Sequence, residues 1–473
     1  MSGTQFLAGM LYLASATLFV VGLHQMRAPS SARTGNLISA AGMFIAVVTT
    51  VVISLLNSGG SWLAWVCLIA GAAVGALYGA RRARTVKMTD IPQLVSVFNA
   101  VGGGAAAAVA FASFVLPTGG ARLDLTVSIP VVLDVLIGSI TFSGSLIAAG
   151  KLQGIIPGNP ITFPGARIVN VIVALVALAA GVVVVIAPRT VTMLVVVLAA
   201  ALVLGVLMVL PIGGADAPVV VSLLNAFTGL AVAMAGFAID NQALIIAGAL
   251  VGAAGTILTL QMAKAMNRSV LSIIVGGFGT GDAVIAGGAG DADLGQVRSV
   301  SADDVAIQLA YAQHVLIVPG YGLAAAQAQH EVAELAALLI AHDVDVKYAI
   351  HPVAGRMPGH MNVLLAEANV PYEQMLQLDE ANAAFENCDV ALVIGANDVC
   401  NPDARKPGNA VSGMPILNAD HAKSVVVIKR SMRPGYAGIS NPLFTDPKTG
   451  MFFADAKKGL ADITVAVKEY VSV

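Results

Sequence analysis

The first 263 residues of the chain alternate between long apolar runs and short breaks rich in glycine, proline and asparagine. Nine of these runs are long enough to cross about 30 Å of hydrocarbon as helices. They cover residues 4–24, 35–56, 61–80, 92–116, 128–150, 166–187, 190–211, 218–239 and 242–263. The pattern predicts a membrane domain of about nine transmembrane helices over residues 1–264. We interpret the first run as a retained span, since no basic region precedes it and no A-x-A cleavage site follows it.

The pattern changes after residue 296, where short apolar runs alternate with helical stretches. Strands are predicted at residues 315–319, 345–350, 375–378, 390–394 and 424–429, with another at 451–453. Helices are predicted from about Ser301 to Gln313 and at residues 323–341, 361–369, 380–386 and 457–471. This alternation predicts a soluble α/β domain, Rossmann-like, with a doubly wound parallel sheet over residues 296–473. The glycine-rich residues 265–295 are predicted to form a flexible linker.

Composition separates the two halves in the same way. Only 15 of the 52 Lys, Arg, Asp and Glu residues lie in residues 1–263, so the first half suits lipid and the second suits water. The formal net charge of −2 argues against a nucleic-acid partner, which requires a basic face. The three cysteines form no C-x-x-C pair, so no metal site is predicted.

Basic residues give the predicted orientation. With the N-terminus outside, the inner segments carry ten Lys and Arg residues, and the outer loops carry two, Arg122 and Arg189. The positive-inside rule describes this bias. It predicts that residues 296–473 lie in the cytoplasm, with the helices in the inner (plasma) membrane.

A few polar residues occur within or next to the apolar runs of the membrane half. Asp216 lies in the GGADAP turn just before the eighth run, and the others lie within runs: Asn99, Asp134, Ser222, Asn225 and Thr228. Asp134 lies about six residues into the fifth run, and the last three recur every three residues, which predicts a shared helix face. Such residues serve either as interhelical hydrogen bonds or as a hydrated proton path, and the sequence leaves both open. Because only His24 lies near this half, an imidazole relay would need another chain.

The second half carries a pattern typical of a dinucleotide site. The strand at 315–319 leads into Gly320-Tyr321-Gly322 and an alanine run, with the spacing G-x-G-x-x-A. In such a turn the glycines approach a pyrophosphate at a helix start. The next strand ends at Ile350-His351, without the acid that grips the ribose of NAD. The strand at 424–429 ends in Lys429-Arg430-Ser431, which suits the 2′-phosphate of NADP, and the loop from Arg433 to Gly438 could fold over the nucleotide.

Several blocks closely resemble the β subunit of proton-translocating NAD(P) transhydrogenase. In the second half they are GYGLAAAQAQ, HPVAGRMPGHMNVLLAEA, VIGANDVCNP, GMPILN, KRSMRPGYAG and NPLF, and in the first half they are GGADAPVVVSLLNAFTG and KAMNRS. The resemblance implies a separate α subunit that binds NAD(H) and adds further transmembrane helices, in a dimer of heteromers. It also implies hydride transfer from NADH on that partner to NADP⁺ on this chain, coupled to proton translocation.

The resemblance also implies which residues form the sites. Arg356 and Asp398 would lie near the nicotinamide end as catalytic residues, and Asp398 would sense protonation coupled to the redox state of NADP. The residues expected to bind NADP(H) are Gly320, Tyr321, Gly322, Val353, Ala354, Gly355, Arg356, Met357, Pro358, Gly395, Ala396, Asn397, Asp398, Val399, Gly413, Met414, Lys429, Arg430, Ser431, Met432, Arg433, Pro434, Gly435, Tyr436, Asp455 and Ala456. The proton path is expected to use Asn99, Asp134, Asp216, Ser222 and Asn225.

One position departs from the family pattern. Well-known relatives carry a histidine in the region where Asn99 stands, and an amide cannot titrate. A proton path in this chain would therefore use other groups, or a histidine from the partner. The alternative function is a channel or transporter with a regulatory dinucleotide-binding domain, which needs no NAD(H)-binding partner. A reductase merely anchored to the membrane would explain neither the nine spans nor the polar residues within them.

Overall fold

The computed structural model describes residues 3–26, 29–57, 61–116, 124–157, 160–187, 190–213, 216–266, 269–270, 273–274, 297–355, 359–407, 409, 411–435 and 437–471. They form two compact units, one helical and one α/β. Most of the predicted linker, residues 275–295, lies outside the described residues.

The helical unit contains, among the described residues, nine helices long and apolar enough to span a membrane. They are α1 (Gly3–Gln25), α2 (Pro29–Asn57), α3 (Trp62–Thr85), α4 (Ile91–Val115), α5 (Leu125–Leu152), α6 (Ala166–Ile186), α7 (Val191–Val209), α8 (Ala217–Ala238) and α9 (Gln242–Ala265). Each coincides with a predicted run. The largest differences are at α2, which begins six residues earlier than predicted, and at α3, which ends five residues later. Hydropathy misses these extensions because they are polar, although the arginines that end α3 are good helix formers.

Glycines allow several of these helices to approach closely. A Cβ on Gly103 of α4 would lie 2.9 Å from Gly138 O of α5, and a Cβ on Gly255 of α9 would lie 2.9 Å from Ala226 Cα of α8. Small residues are what transmembrane helices use to pack, because lipid supplies no hydrophobic driving force between them. The absence of a side chain at Gly103 therefore allows α4 and α5 to pack in close contact.

The α/β unit is built on six parallel strands in the order β3-β2-β1-β4-β5-β6. The strands are β1 (His314–Pro319), β2 (Asp345–Ala349), β3 (Met375–Leu376), β4 (Val390–Ile394), β5 (Ser424–Lys429) and β6 (Thr449–Phe453). The helices are α10 (Ala302–Ala310), α11 (Tyr321–Ala325), α12 (Gln329–Ile340), α13 (His360–Glu367), α14 (Leu378–Phe385) and α15 (Ala456–Val471). This strand order is that of the doubly wound dinucleotide-binding fold, and it confirms the predicted fold class.

Buried apolar residues line the sheet, as expected for strands covered on both sides. On one face Leu316, Val393 and Val427 pack against Phe385 of α14 and Phe444. The helix α15 packs against both α10 and α12, and these helices bury leucines that include Leu309, Leu335 and Leu460.

Two predicted helices differ from the structure. The predicted helix at 323–341 is wrong as a single helix, because α11 ends at Ala325 and α12 begins at Gln329. Gln327 between them has a φ of 53°, a left-handed conformation that the alanine-rich sequence does not predict. The first helix ends at Ala310, before the predicted Gln313, because the chain turns there so that the Gln313 and His314 N–H groups reach the carboxylate of Asp389.

Candidate functional site

The glycine turn lies at the carboxyl end of β1, beside the turn that follows β4. Gly320 N donates to Ile394 O at 2.9 Å, and Gly322 N donates to Gly395 O at 3.0 Å. A Cβ on Gly322 would lie 2.6 Å from Gly395 Cα, and Gly395 has a φ of 62°. Glycine is required here because the two turns meet backbone to backbone. The contact lies between β1 and β4, where the strand order reverses and where open α/β sheets bind ligands.

The main-chain N–H groups of both glycines are already hydrogen-bonded. Gly320 and Gly322 donate to carbonyl groups inside the protein, so their own N–H groups are not available to a phosphate. The helix that follows, α11, is only five residues long. A phosphate at this edge of the sheet would therefore need other donors.

A second group of predicted residues follows β2, around a buried histidine. His351 is 1% exposed, and its Nε2 lies 2.7 Å from Pro415 O. Burial lowers the pKa of His351 to about 4, although the bond to the Pro415 carbonyl opposes the shift. The ring is therefore neutral at pH 7. Its Nδ1 accepts the Val353 N–H at 3.2 Å, so Nε2 carries the proton that is donated to Pro415.

The residues after Val353 connect this group to the glycine turn. Ala354 N donates to His351 O at 3.0 Å. Gly355 has a φ of 102°, and a Cβ there would collide with the buried ring of His360. That ring lies 6.5 Å, centroid to centroid, from the ring of Tyr321 in α11. The ring of His360 thus lies between Gly355 and Tyr321, two of the predicted residues.

The loops after β4 and β5 meet at Asp398. Its Oδ2 accepts the Ala437 N–H at 3.0 Å, and a Cβ on Gly435 would lie 2.6 Å from its Oδ1. With its amide oriented to satisfy its neighbours, Asn397 accepts from Gly435 N at 2.7 Å and from Lys429 Nζ at 3.0 Å. The loop around Gly435 is therefore held against the end of β4.

Three basic residues stand at the carboxyl end of β5. The half-buried Lys429 donates from Nζ to Arg433 O at 2.5 Å, and its Nζ lies 4.7 Å from the ring centroid of Phe444. Burial lowers the pKa of Lys429, and the charge of Asp398 opposes that shift. Arg430 and Arg433 are exposed, and in the described parts of the chain neither forms an ion pair. These two guanidinium groups are open to an anion.

Other predicted residues support these loops. Gly413 has a φ of 74°, and its N–H donates to Ala404 O at 2.7 Å. Met414 and Ala437 both pack on the apolar cluster that contains Ala404. Ala396 belongs to the core cluster of the sheet, against which Val399 and Met432 pack.

The remaining predicted residues lie at an edge or outside the described residues. Asp455 begins α15 at the carboxyl end of β6, where its Oδ1 accepts the Lys457 N–H at 3.1 Å, and Ala456 is buried in the first turn. The predicted residues outside the described chain are Arg356, Met357, Pro358 and Tyr436.

Sequence reasoning missed two asparagines that join the loops. Asn401 and Asn441 each accept a main-chain N–H from two residues further on and each begin a 3₁₀ turn with proline next. Their amide nitrogens donate outwards, Asn401 to Ser440 O at 3.1 Å and Asn441 to Asn397 O at 3.0 Å. The signal was present in the two Asn-Pro pairs, because Asn followed by Pro favours such a capped turn.

In the helical unit, the polar residues contact more than one neighbouring helix. Asn99 Nδ2 lies 3.4 Å from Val221 O, and Thr228 Oγ1 lies 3.3 Å from Asn99 O, so α4 and α8 meet there. Ser222 instead accepts from Thr259 Oγ1 of α9 at 3.0 Å. The predicted shared face is therefore divided: Thr228 faces α4 and Ser222 faces α9, because a spacing of three turns each residue 60° from the last. Asn225 lies between them and is half-buried.

The two predicted acids of this unit have different positions. Asp216 lies in the turn before α8, half-buried, and its N–H donates to Gly213 O at 3.2 Å. Asp134 is fully buried, and neither carboxylate oxygen has a partner among the described residues. Because α5 begins at Leu125, Asp134 is its tenth residue, which is deeper in the span than predicted.

Comparison with known proteins decides the family. A family model described as NAD(P) transhydrogenase beta subunit matches residues 8–466. The chain belongs to this family. Two curated proteins named NAD(P) transhydrogenase subunit beta, both from Rhodospirillum rubrum and one of them from a named strain, are each 45% identical to it over 462 residues, covering 96% of this chain and 98% of theirs.

Family membership gives the broad chemistry. A transhydrogenase beta subunit is part of an oxidoreductase that uses nicotinamide dinucleotides, and its name implies an alpha-subunit partner. The nine apolar helices indicate a membrane protein. No group of three or more His, Cys, Asp or Glu residues that could hold a metal ion occurs in the described part of the chain.

Proposed function

We propose that this chain binds NADP(H) in its α/β unit and carries protons through its helical unit. In this proposal an α subunit holds NAD(H) and adds transmembrane helices, and hydride passes from NADH on that partner to NADP⁺ here. The N-terminus lies outside the inner membrane, and the α/β unit lies in the cytoplasm. The assembly is a dimer of heteromers.

The observation that carries the proposal is the pair of open arginines, Arg430 and Arg433. They stand at the carboxyl end of β5, beside the strand-order reversal, in a unit with the fold of a dinucleotide-binding domain. A guanidinium group fits phosphate with two parallel hydrogen bonds. β2 is followed by a neutral histidine, His351, and not by the acid that selects NAD. The residues present therefore fit a phosphorylated dinucleotide.

The neighbouring residues would hold and gate this nucleotide, which supplies the hydride acceptor when bound. Asp398 and Asn397 keep the Gly435 loop in place through main-chain N–H groups. A protonated Asp398 would be a weaker acceptor for the Ala437 N–H, so protonation would loosen this loop. Protonation of Asp398 would thereby lower the affinity of the site for NADP(H).

In this proposal, proton translocation supplies the free energy that drives hydride transfer. The two nicotinamide half-reactions are nearly isoenergetic, so a driving force must come from elsewhere. A charge that crosses about 200 mV releases about 4.6 kcal/mol, which is a factor of about a thousand in an equilibrium. Proton occupancy near Asn99, Asn225 and Asp216 would bias the α/β unit between a form that holds NADP(H) and one that exchanges it.

The first experiment measures nucleotide affinity of the detergent-solubilised full chain. Arg430→Gln should weaken NADPH binding by about 10- to 100-fold, since a charge-assisted hydrogen bond contributes about 1.5–3 kcal/mol. Binding of NADH should change little. Lys423→Gln, a change of an exposed cation at the amino end of the same strand, is the control and should have no effect. Equal loss for NADH and NADPH, or no loss, would contradict the proposal.

The second experiment tests the membrane part in the reconstituted enzyme with its partner. Asn225→Leu should abolish proton pumping while NADPH still binds. If pumping survives, Asn225 serves packing alone.

The alternative, a channel or transporter regulated by a dinucleotide, predicts no hydride exchange between NADPH and an NADH analogue. Membership of a transhydrogenase family favours the first function. Measuring that exchange in the presence of the partner separates the two.

A further inference from the structure

Asp134 is a carboxyl group within a membrane span. As the tenth of the 28 residues of α5, it lies about 14 Å from the start of the helix, about a third of the way along a helix that is longer than a hydrocarbon layer about 30 Å thick. Its relative exposure is 0%, and both oxygens lack a hydrogen-bond partner among the described residues. This chain alone buries it, so a neighbouring subunit cannot reach it without moving a helix.

Asp134 lies beside an apolar cluster of the helical unit. Its neighbours Val131 and Val135 are buried in that cluster with Phe114 of α4, Val184 of α6 and Leu194 of α7. A carboxylate buried without a hydrogen-bond partner or a counter-ion is costly, so the neutral acid is the favoured form.

Among the residues that the structure describes, no cation is placed to hold the ionised form. The sequences of α4, α7 and α8 contain no Asp, Glu, His, Lys or Arg, and Asp240 after α8 is exposed. Arg167 lies in the exposed first turn of α6. Lys151 is about 25 Å further along α5, where its Nζ donates to Leu210 O and Ile212 O at the end of α7.

Asp134 begins a line of small and polar residues along one face of α5. Residues 134, 138, 141 and 145 follow the spacing 4-3-4, which keeps them on one side of a helix. Gly103 of α4 packs on this side, since a Cβ there would lie 2.9 Å from both Gly138 O and Thr141 Cβ. The line therefore runs along the contact between α4 and α5.

The other end of this line reaches the region of Asn99. The two helices are antiparallel, because Gln93 Nε2 of α4 donates to Leu152 O at the end of α5, whereas Phe114 packs near Val131. Asn99 therefore lies near the level of Ser145, whose buried hydroxyl also has no partner among the described residues.

We propose that Asp134 is a proton-carrying carboxyl of the membrane unit, occupied by a proton at neutral pH and emptied and refilled through the α4–α5 contact during turnover. This proposal rests on the proposed coupling of the chain to protons. The step breaks the O–H bond of the neutral acid and transfers the proton to a water molecule that enters the α4–α5 contact towards Ser145 and Asn99. The carboxylate left behind then takes up a proton from water on the opposite side. Because the carboxylate is costly in this site, emptying and refilling must follow each other closely.

The first test uses the enzyme assembled with its partner in vesicles, with a pH-sensitive dye and a simultaneous assay of hydride transfer. Asp134→Asn should lower proton pumping at least tenfold, and Asp134→Glu, which can still carry a proton, should restore much of it. Ser139→Ala is the matched control: this buried hydroxyl of α5 lies off the line, and the variant should pump normally. Pumping by Asp134→Asn at the parent rate would overturn the proposal.

The second test does not depend on activity. Infrared difference spectra between pH 7 and high pH should show the carbonyl band of a protonated carboxylic acid, and that band should be missing in Asp134→Asn. If both proteins give the same band, Asp134 is not the protonated group. If the unmodified enzyme transfers hydride without moving protons, the proposed coupling is wrong. The infrared band would still show whether Asp134 is protonated. If Asp134→Asn fails to assemble, Asp134→Glu provides the test, because it must retain both the carbonyl band and proton pumping.

Discussion

The carboxyl edge of the sheet and the buried interior around Asp134 treat polar groups in opposite ways. At the carboxyl edge of the sheet, side chains such as Asn397, Asn401 and Asn441 are hydrogen-bonded to main-chain groups of neighbouring loops. In the helical unit, Asp134 and Asn170 are at least 99% buried and have no partner among the described residues. A hydrogen-bonded side chain fixes the backbone around it, whereas a buried polar group without a hydrogen bond lowers the stability of the protein.

This difference indicates different tasks. A nucleotide site needs loops held in place before the ligand arrives, because ordering them on binding would weaken affinity. A proton path needs groups that can take a hydrogen bond or a proton transiently, and a fully bonded group cannot. The contrast can be tested by removing polar groups and glycines from each unit in turn.

The largest effect is expected at Gly395, where the two turns at the edge of the sheet meet. Gly395→Ala should destabilise the α/β unit by about 4 kcal/mol. A left-handed residue with a Cβ costs about 1–2 kcal/mol, and the Cβ would also collide with the Gly322 backbone, as in an overpacked core that loses about 1–3 kcal/mol. Pulse proteolysis of the full chain in increasing urea measures the change.

The control for that variant is Gly359→Ala. Gly359 also has a positive φ, 67°, but a Cβ there would have no described atom within 4 Å. Only the conformational cost of about 1–2 kcal/mol should remain. Equal losses at both positions would mean that the close contact of the turns contributes nothing.

A smaller, pH-dependent effect is expected at His351. Its pKa is about 4 in the folded protein, against an ordinary value of 6.5, so between these values the unfolded chain binds more protons. Stability should therefore be complete above pH 6.5 and should fall by up to about 3 kcal/mol as the pH drops to 4. His351→Gln should remove this part of the pH dependence, while His330→Gln, at an exposed position, should leave it in place. Unfolding midpoints measured from pH 4 to 8 give the slope, and parallel slopes for His351→Gln and the parent would show that another group titrates.

The sequence predicted most of this fold because the signals were long and repeated. Nine apolar runs specified nine spans, and alternating short runs specified all six strands to within two residues. The break at Gln327 was missed because no glycine or proline marks it and the surrounding alanines favour helix. Local propensity cannot reveal a turn that tertiary packing imposes.

The site was predictable in composition but not in contacts. Lys429, Arg430 and the Gly320 turn are at the carboxyl edge of the sheet, as the strand pattern required. The Gly320 N–H donates to β4 and is not left open for a phosphate. This hydrogen bond depends on which strand lies beside β1. Strand order is a property of the whole sheet, and no local motif contains it.

A moderate effect is expected at Asn441, which joins the loops after β4 and β5. Asn441→Leu leaves Asn397 O and Leu443 N without their hydrogen bonds of 3.0 Å, so a loss of about 2 kcal/mol is expected. Asn387→Leu, at an exposed position, is the control and should change stability by less than about 0.5 kcal/mol. Urea midpoints of the α/β unit provide the measurement. An unchanged midpoint for Asn441→Leu would mean that these loops are not held by the asparagine.

The smallest effect, and the one most specific to the comparison, is expected at Asn170 of α6. Its amide is 1% exposed, and neither Oδ1 nor Nδ2 has a partner among the described residues. Asn170→Leu removes a desolvated polar group without breaking a hydrogen bond, so the helical unit should keep its stability or gain up to about 1 kcal/mol. Unfolding of the helical unit by SDS, followed by its loss of helix, measures this change.

Thr259→Val is the matched control for Asn170→Leu. Thr259 is equally buried in α9, but its hydroxyl donates to Gly255 O at 2.7 Å and contacts Ser222 Oγ at 3.0 Å. Interhelical hydrogen bonds in membranes contribute about 0.6 kcal/mol on average, so Thr259→Val should destabilise by about that amount. Opposite signs for the two variants would support the contrast between bonded and unbonded polar groups. If Asn170→Leu instead loses more stability than Thr259→Val, the Asn170 amide is bonded in the membrane, and the helical unit handles its polar groups as the sheet edge does.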